Sequence, residues 1–162
     1  MRKHVRIFAV LTVCALALGA WTMLNAQNNQ GNGPGGSTFL VTITDANTGA
    51  FASRSVITLH SDHSVAVIDS GQEGGPVAFS SQQGTWAQDA SGATVARTID
   101  FSFPFATNGS ARVDYKFNAS SSANQVAGTI VLTFFPTNGN PLDGGGTPGG
   151  NFNFTGVKVT AQ

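Results

Sequence analysis

Two stretches of the chain alternate apolar and polar residues with a period of two. In the first, Val95, Arg97, Ile99, Phe101 and Phe103 share one face, with Thr94, Ala96, Thr98, Asp100 and Ser102 on the other. In the second, Ala111, Val113, Tyr115 and Phe117 oppose Arg112, Asp114, Lys116 and Asn118. Successive side chains of a strand point to opposite faces, so the pattern predicts antiparallel strands that bury one face and wet the other. The more apolar face is expected inside. That places Arg97, Phe101 and Phe103 in the interior and Asp100 and Asp114 outside. From Thr38 onward, short β-branched or aromatic runs are separated by Gly, Asn, Asp and Ser, and no window carries an apolar stripe at helical spacing. Strands are predicted near 38–44, 54–60, 64–70, 84–89, 94–104, 111–118, 125–135 and 152–160.

The connections between these runs are short. Ser61-Asp62-His63, Asp89-Ala90-Ser91-Gly92, Asn108-Gly109 and residues 120–124 all carry turn chemistry, which favours up-and-down order. A meander of this length must close on itself or leave two edges open to aggregation. The predicted fold is therefore all-β, an antiparallel up-and-down barrel of about eight strands whose first and last strands pair. Gly128 and Gly156 lie inside strands, where the wall could bend or bulge. The Gly/Pro-rich stretch from Thr137 to Gly150 reads as a surface loop or as a lid over a barrel mouth.

The N-terminus has a different texture. Arg2, Lys3 and Arg6 precede an apolar run from Ile7 to Leu24, followed by the polar Asn25-Ala26-Gln27. This is the pattern of a secretory signal peptide cleaved after Ala26, with an uncleaved anchor as the alternative. The expected organisation is a signal peptide over 1–26, a flexible Gly/Asn/Gln-rich leader over 27–37 and one barrel domain over 38–162. The expected location is secreted or periplasmic, with no membrane span after cleavage. Cys14 is the only cysteine and lies in the apolar run, so the exported part has no disulfide, thiol nucleophile or cysteine metal site.

Charge narrows the functions. Only 10% of residues are charged, and the 8 basic residues include the three at the N-terminus. Beyond them, Arg54, Arg97, Arg112, Lys116 and Lys158 face all 8 acidic residues, so the domain is net negative and no nucleic-acid partner is expected. His60 and His63 flank Asp62 at a hairpin tip and read as solvated turn residues, so no metal is expected. No Gly-x-Ser-x-Gly elbow is present, and nothing selects a carboxylate pair from Asp69, Glu73, Asp89, Asp100 and Asp114. No catalytic residue and no cofactor are assigned.

Gly84-Thr85-Trp86 opens a strand that is followed by a hairpin turn and a long alternating strand. It resembles the Gly-x-Trp feature of calycin barrels, the lipocalins and avidins, in which the Trp packs across one barrel end. The resemblance covers roughly 38–162 and departs from lipocalins in one respect, because three predicted strands precede the motif. The chain also looks like small exported bacterial proteins of unassigned role. The resemblance implies a calycin-like barrel and brings no catalytic residues.

A ligand-binding reading follows from the aromatics. Of 12 Phe only Phe8 lies in the expected signal peptide, and Tyr115 is the single tyrosine, so the interior is expected to line apolar space. The candidate ligand-binding residues are Trp86, Arg97, Phe101, Phe103, Tyr115 and Phe117, with Arg97 either an internal anion anchor or a rim residue stacked on Trp86. The expected function is an exported, non-enzymatic barrel that binds a small apolar or amphipathic ligand. The alternatives are an envelope protein with a filled core, and a barrel cyclase or isomerase. Cavity size separates the first two, and convergent titratable groups inside it would raise the third.

Overall fold

Apolar residues two apart set each strand's inner face, and antiparallel pairing then carries the chain round a closed wall. The computed structural model describes residues 34–72, 78–103, 109–119 and 122–161. The proposed signal peptide, the first part of the leader and the turn residue Glu73 lie outside the described residues. The strands are β1 (Ser37–Asp45), β2 (Phe51–Leu59), β3 (Ser64–Asp69), β4 (Ala78–Phe79), β5 (Gln82–Gln88), β6 (Thr94–Phe103), β7 (Gly109–Asn118), β8 (Gln125–Pro136) and β9 (Thr147–Lys158). The order is β4-β6-β5-β3-β2-β1-β9-β8-β7, and β6 also pairs with β7. Without β4, which extends the β5 position along β6, the remaining strands close an eight-stranded antiparallel barrel. The expected closure is present: Leu40 stands opposite Val157 and Ile43 opposite Phe154.

Three hairpins begin with an aspartate that accepts the backbone N–H two residues on: Asp45 from Asn47, Asp62 from Ser64 and Asp89 from Ser91. This local bond fixes the reversal before any strand pairs. Hydrogen-bond donors of these turns hold the carboxyls below their usual range, led by the Thr48 N–H at Asp45, the Ser64 hydroxyl at Asp62 and the Ser91 hydroxyl at Asp89.

The interior is filled from one end. Phe39, Val41, Leu59, Val65, Val67 and Phe154 are buried, and Phe117 and Tyr115 meet Phe154 edge to face at centroid distances of 5.6 and 6.4 Å. Trp86 closes this end. Its Nε1 donates to the His60 carbonyl at 2.9 Å, and the His63 ring stacks on it at 4.6 Å. Gly84 lets β5 approach β6 closely, since a Cβ there would lie 1.9 Å from the Arg97 carbonyl oxygen. Each residue of the Gly-x-Trp pair thus has its own packing reason, although the motif sits on β5 and not on an early strand.

Several expectations are corrected. The barrel bulges between Ile43 and Thr44 and between Leu132 and Thr133, not at Gly128 or Gly156. Those glycines instead make room: a Cβ at Gly128 would meet Phe117 Cβ at 2.4 Å, and one at Gly156 the Leu40 carbonyl oxygen at 2.5 Å. β2 and β9 begin earlier than predicted, and β4 was not foreseen. The 137–150 stretch ends in strand, with β9 starting at Thr147. Its loop folds on the outer wall, where Arg112 Nη1 donates to the Pro141 and Asp143 carbonyls at 3.0 Å and the guanidinium lies 5.2 Å over the Phe135 ring. It is a strap that covers Phe135.

The largest correction concerns β6, which is turned over. Thr94, Ala96, Thr98, Asp100 and Ser102 point inward and are buried, while Phe101 and Phe103 are 59% and 52% exposed. An eight-stranded barrel has room for only so much side-chain volume. Tyr115, Phe117, Phe154 and Trp86 already take that volume beside β6, so its small face turns inward.

Candidate functional site

In an up-and-down barrel every second strand ends at the same rim. The end of β1, start of β2, end of β3, start of β5, end of β6, start of β7, end of β8 and start of β9 therefore meet opposite Trp86. A cavity of about 260 Å³ lies there. Its apolar wall includes Ile43, Phe79, Ile130, Leu132, Phe134 and Phe152, and its polar wall Ser53, Asp69, Gln72, Gln82, Asp100 and Tyr115. Ala52, Gly71 and Phe134 are exposed and form the rim, with Phe79 stacked on Phe134 at 6.1 Å. The β2 bulge opposite Ile43 and Thr44 contributes directly: Ile43 pairs with Ser53 and Thr44 with Phe51, so Ala52 is the extra residue and reaches the rim beside Ser53.

The polar wall is organised around two carboxylates. Asp69 ends β3 and accepts from the Ser53 hydroxyl at 2.8 Å, from the Ser55 hydroxyl and from the Gly71 N–H at 2.6 Å. Asp100 is 4% exposed, and its Oδ1 has no hydrogen-bond partner among the described residues. Burial raises its pKa to about 6, against the Ala111 N–H, which lowers it, and with help from the negative charge of Asp69. Between them lies a hydroxyl–amide cluster. Gln82 Oε1 accepts from Tyr115 at 2.7 Å and from Thr98 at 2.8 Å. Burial pushes the Tyr115 phenol well above its usual pKa, and the charges of Asp69 and Asp100 add to the effect. Gln72 ties the turn after β3 in place, with Nε2 donating to the Ser80 carbonyl and Oε1 accepting from the Asp69 N–H.

Of the residues expected at an interior site, the structure places only Tyr115 on this cavity. Phe117 is buried in the filled half, and Trp86 closes the far end. Arg97, Phe101 and Phe103 lie on the outer face, so the expectation that they point inward is overturned by the facing of β6. Arg97 neither stacks on Trp86 nor reaches the interior. Its side chain is 49% exposed and donates to Asp114 at 2.6 Å, within reach of the cross-strand partner position. Exposed ion pairs contribute little, so Arg97→Ala is expected to change stability by less than about 1 kcal/mol, read from a urea melt. A loss of several kcal/mol would show that the pair does more than decorate the wall.

The residues missed by sequence reasoning are Asp100, Asp69, Gln72 and Gln82. Asp100 was expected outside with Asp114, and only Asp114 is there. One signal was available: Asp100 shares its parity with Thr94, Ala96 and Thr98, small residues that suit a face opposite bulky neighbours. His60 and His63 serve the Trp86 end, and among the described residues no three His, Cys, Asp or Glu side chains are placed to hold a metal ion. Comparison with protein-family models, with curated proteins and with solved structures finds no match for this chain.

Proposed function

We propose that this chain is an exported, calycin-like, non-enzymatic barrel that binds a small amphipathic molecule in the cavity opposite Trp86. The observation that carries the reading is the cavity itself. Side chains can fill an eight-stranded barrel completely, and here they fill one half and leave about 260 Å³ in the other. The lining has the composition of a small-molecule site, an apolar wall with a few converging polar groups. An apolar cavity of about 150 Å³ holds benzene, so this one suits a molecule of roughly ten non-hydrogen atoms. The signal-like N-terminus supports export, and the Gly84/Trp86 arrangement supports the calycin-like relation.

One observation favours a second reading as a cyclase or isomerase: Asp69, Asp100 and Tyr115 converge on the same space. A substrate C–H or O–H held beside Asp100 would meet a carboxyl group able to exchange protons near neutral pH.

The test is thermal melting with increasing octanol. Binding should be saturable, and a ligand at about 100 times its dissociation constant should add roughly 2.7 kcal/mol. An unchanged melt with octanol and with other apolar probes of that size would favour the filled-core envelope protein. Trp86 emission is a poor reporter, because its ring lies in the filled half and not on the cavity.

A further inference from the structure

We infer that the molecule taken into this cavity carries an amine at its polar end, an ammonium or comparable hydrogen-bond donor on a compact apolar body, and that carboxylates are rejected. The inference rests on the ligand-binding reading above and adds the class of ligand. It comes from counting what the polar wall has left to offer. The hydroxyls of Ser53 and Ser55 donate to Asp69, and those of Thr98 and Tyr115 donate to Gln82. These donors are spent within the wall. The two side chains of the wall that carry charge near neutral pH, Asp69 and Asp100, are both carboxylates.

Charge points the same way. No Lys, Arg or His is among the described residues lining the cavity. Arg97 and Arg112 lie on the outer wall and are committed to Asp114. A buried carboxylate with an unmade hydrogen bond costs stability unless something supplies the missing donor. An ammonium supplies both the donor and the opposite charge, whereas a carboxylate ligand would add a third negative group. Asp100 lines the cavity from β6, opposite the small Ala111 in the β6–β7 ladder. The apolar body would then rest toward the rim, against Leu132 and Phe134.

The experiment is calorimetric titration of the full chain with octylamine, octanol and octanoate, matched in length. Near neutral pH octylamine should bind about tenfold more tightly than octanol, and octanoate more weakly than either, as expected for a hydrogen bond to a charged group. In Asp100→Asn the advantage of octylamine over octanol should vanish while octanol still binds. Lowering the pH through about 6 in the wild-type protein should weaken octylamine and spare octanol. Asp69 on β3 and Tyr115 on β7 are the other titratable groups facing Asp100. β1, β2, β4, β5, β8 and β9 add none among the described lining residues. The wild-type ranking and its pH dependence need no variant, so they decide even if Asp100→Asn fails to fold. Octanoate equal to or tighter than octylamine would overturn the amine assignment and leave the ligand-binding reading standing. Failure of all three probes to bind would overturn both.

Discussion

Removing Asn151 to Gln162 is expected to abolish cooperative folding. The deletion takes away every β9 residue that pairs with β1, from Phe152 opposite Asp45 to Lys158 opposite Phe39. It therefore leaves β1 and β8 as unpaired edges, each a row of backbone donors and acceptors open to other chains. It also removes Phe154, 2% exposed and in edge-to-face contact with both Tyr115 and Phe117. Losing that side chain alone, as in Phe154→Ala, should cost about 3–5 kcal/mol, a large share of the 5–15 kcal/mol that typically holds a domain together. The truncated chain should aggregate or give a featureless melt by circular dichroism. A monomer that still melts cooperatively would mean the barrel does not depend on closure between β1 and β9.

Asp100→Asn should make the protein more stable above about pH 6 and less dependent on pH. The sign follows from which state holds the proton more tightly. Asp100 titrates at about 6 when folded, against an ordinary 3.8, so between these values the folded state binds more proton than the unfolded one. Stability in the wild type therefore falls as pH rises from about 4 to about 6, and the full penalty stands above that. The displacement corresponds to roughly 3 kcal/mol. An amide at this position carries no charge. Part of the penalty remains as polar burial, so a gain of about 1–3 kcal/mol near neutral pH is expected from denaturant melts. A variant less stable than wild type at pH 7, or one with the same pH slope, would show that Asp100 is better served in the fold than its bare oxygen implies. A residue that costs stability where it stands is the kind retained for a site.

The two predictions concern opposite halves of one barrel, and the halves differ in how readable they were. In the filled half, the pattern of β7 alone places Tyr115 and Phe117 inside, because Ala111, Val113, Tyr115 and Phe117 face a polar row that includes three charges. Gly84 and Trp86 mark close strand approach and an end plug, and both follow from residue chemistry: only Gly fits against a neighbouring carbonyl, and an indole needs one acceptor when buried. In the open half the same logic failed. β6 has two faces of which neither is plainly polar, one with Arg97 among apolar residues and one with Asp100 among small ones. Hydrophobicity read along a single strand favours the face with two phenylalanines, and the barrel takes the other.

By itself the sequence determined that this is an all-β chain, that its strands follow one another in a meander, and that the first and last must meet. Those are consequences of period-two alternation, short aspartate turns and the cost of open edges, all of which act locally or along the whole chain. Which face of β6 turns inward was decided only by the tertiary structure, because that choice depends on volume already occupied by Tyr115, Phe117, Trp86 and Phe154 on other strands. The site follows from that choice. Asp100 enters the interior with the small face of β6, the β2 bulge brings Ser53 and Ala52 to the rim, and Asp69 arrives from β3 at the same end. No window of sequence contains these residues together; they converge because antiparallel closure brings alternate strand ends to one rim.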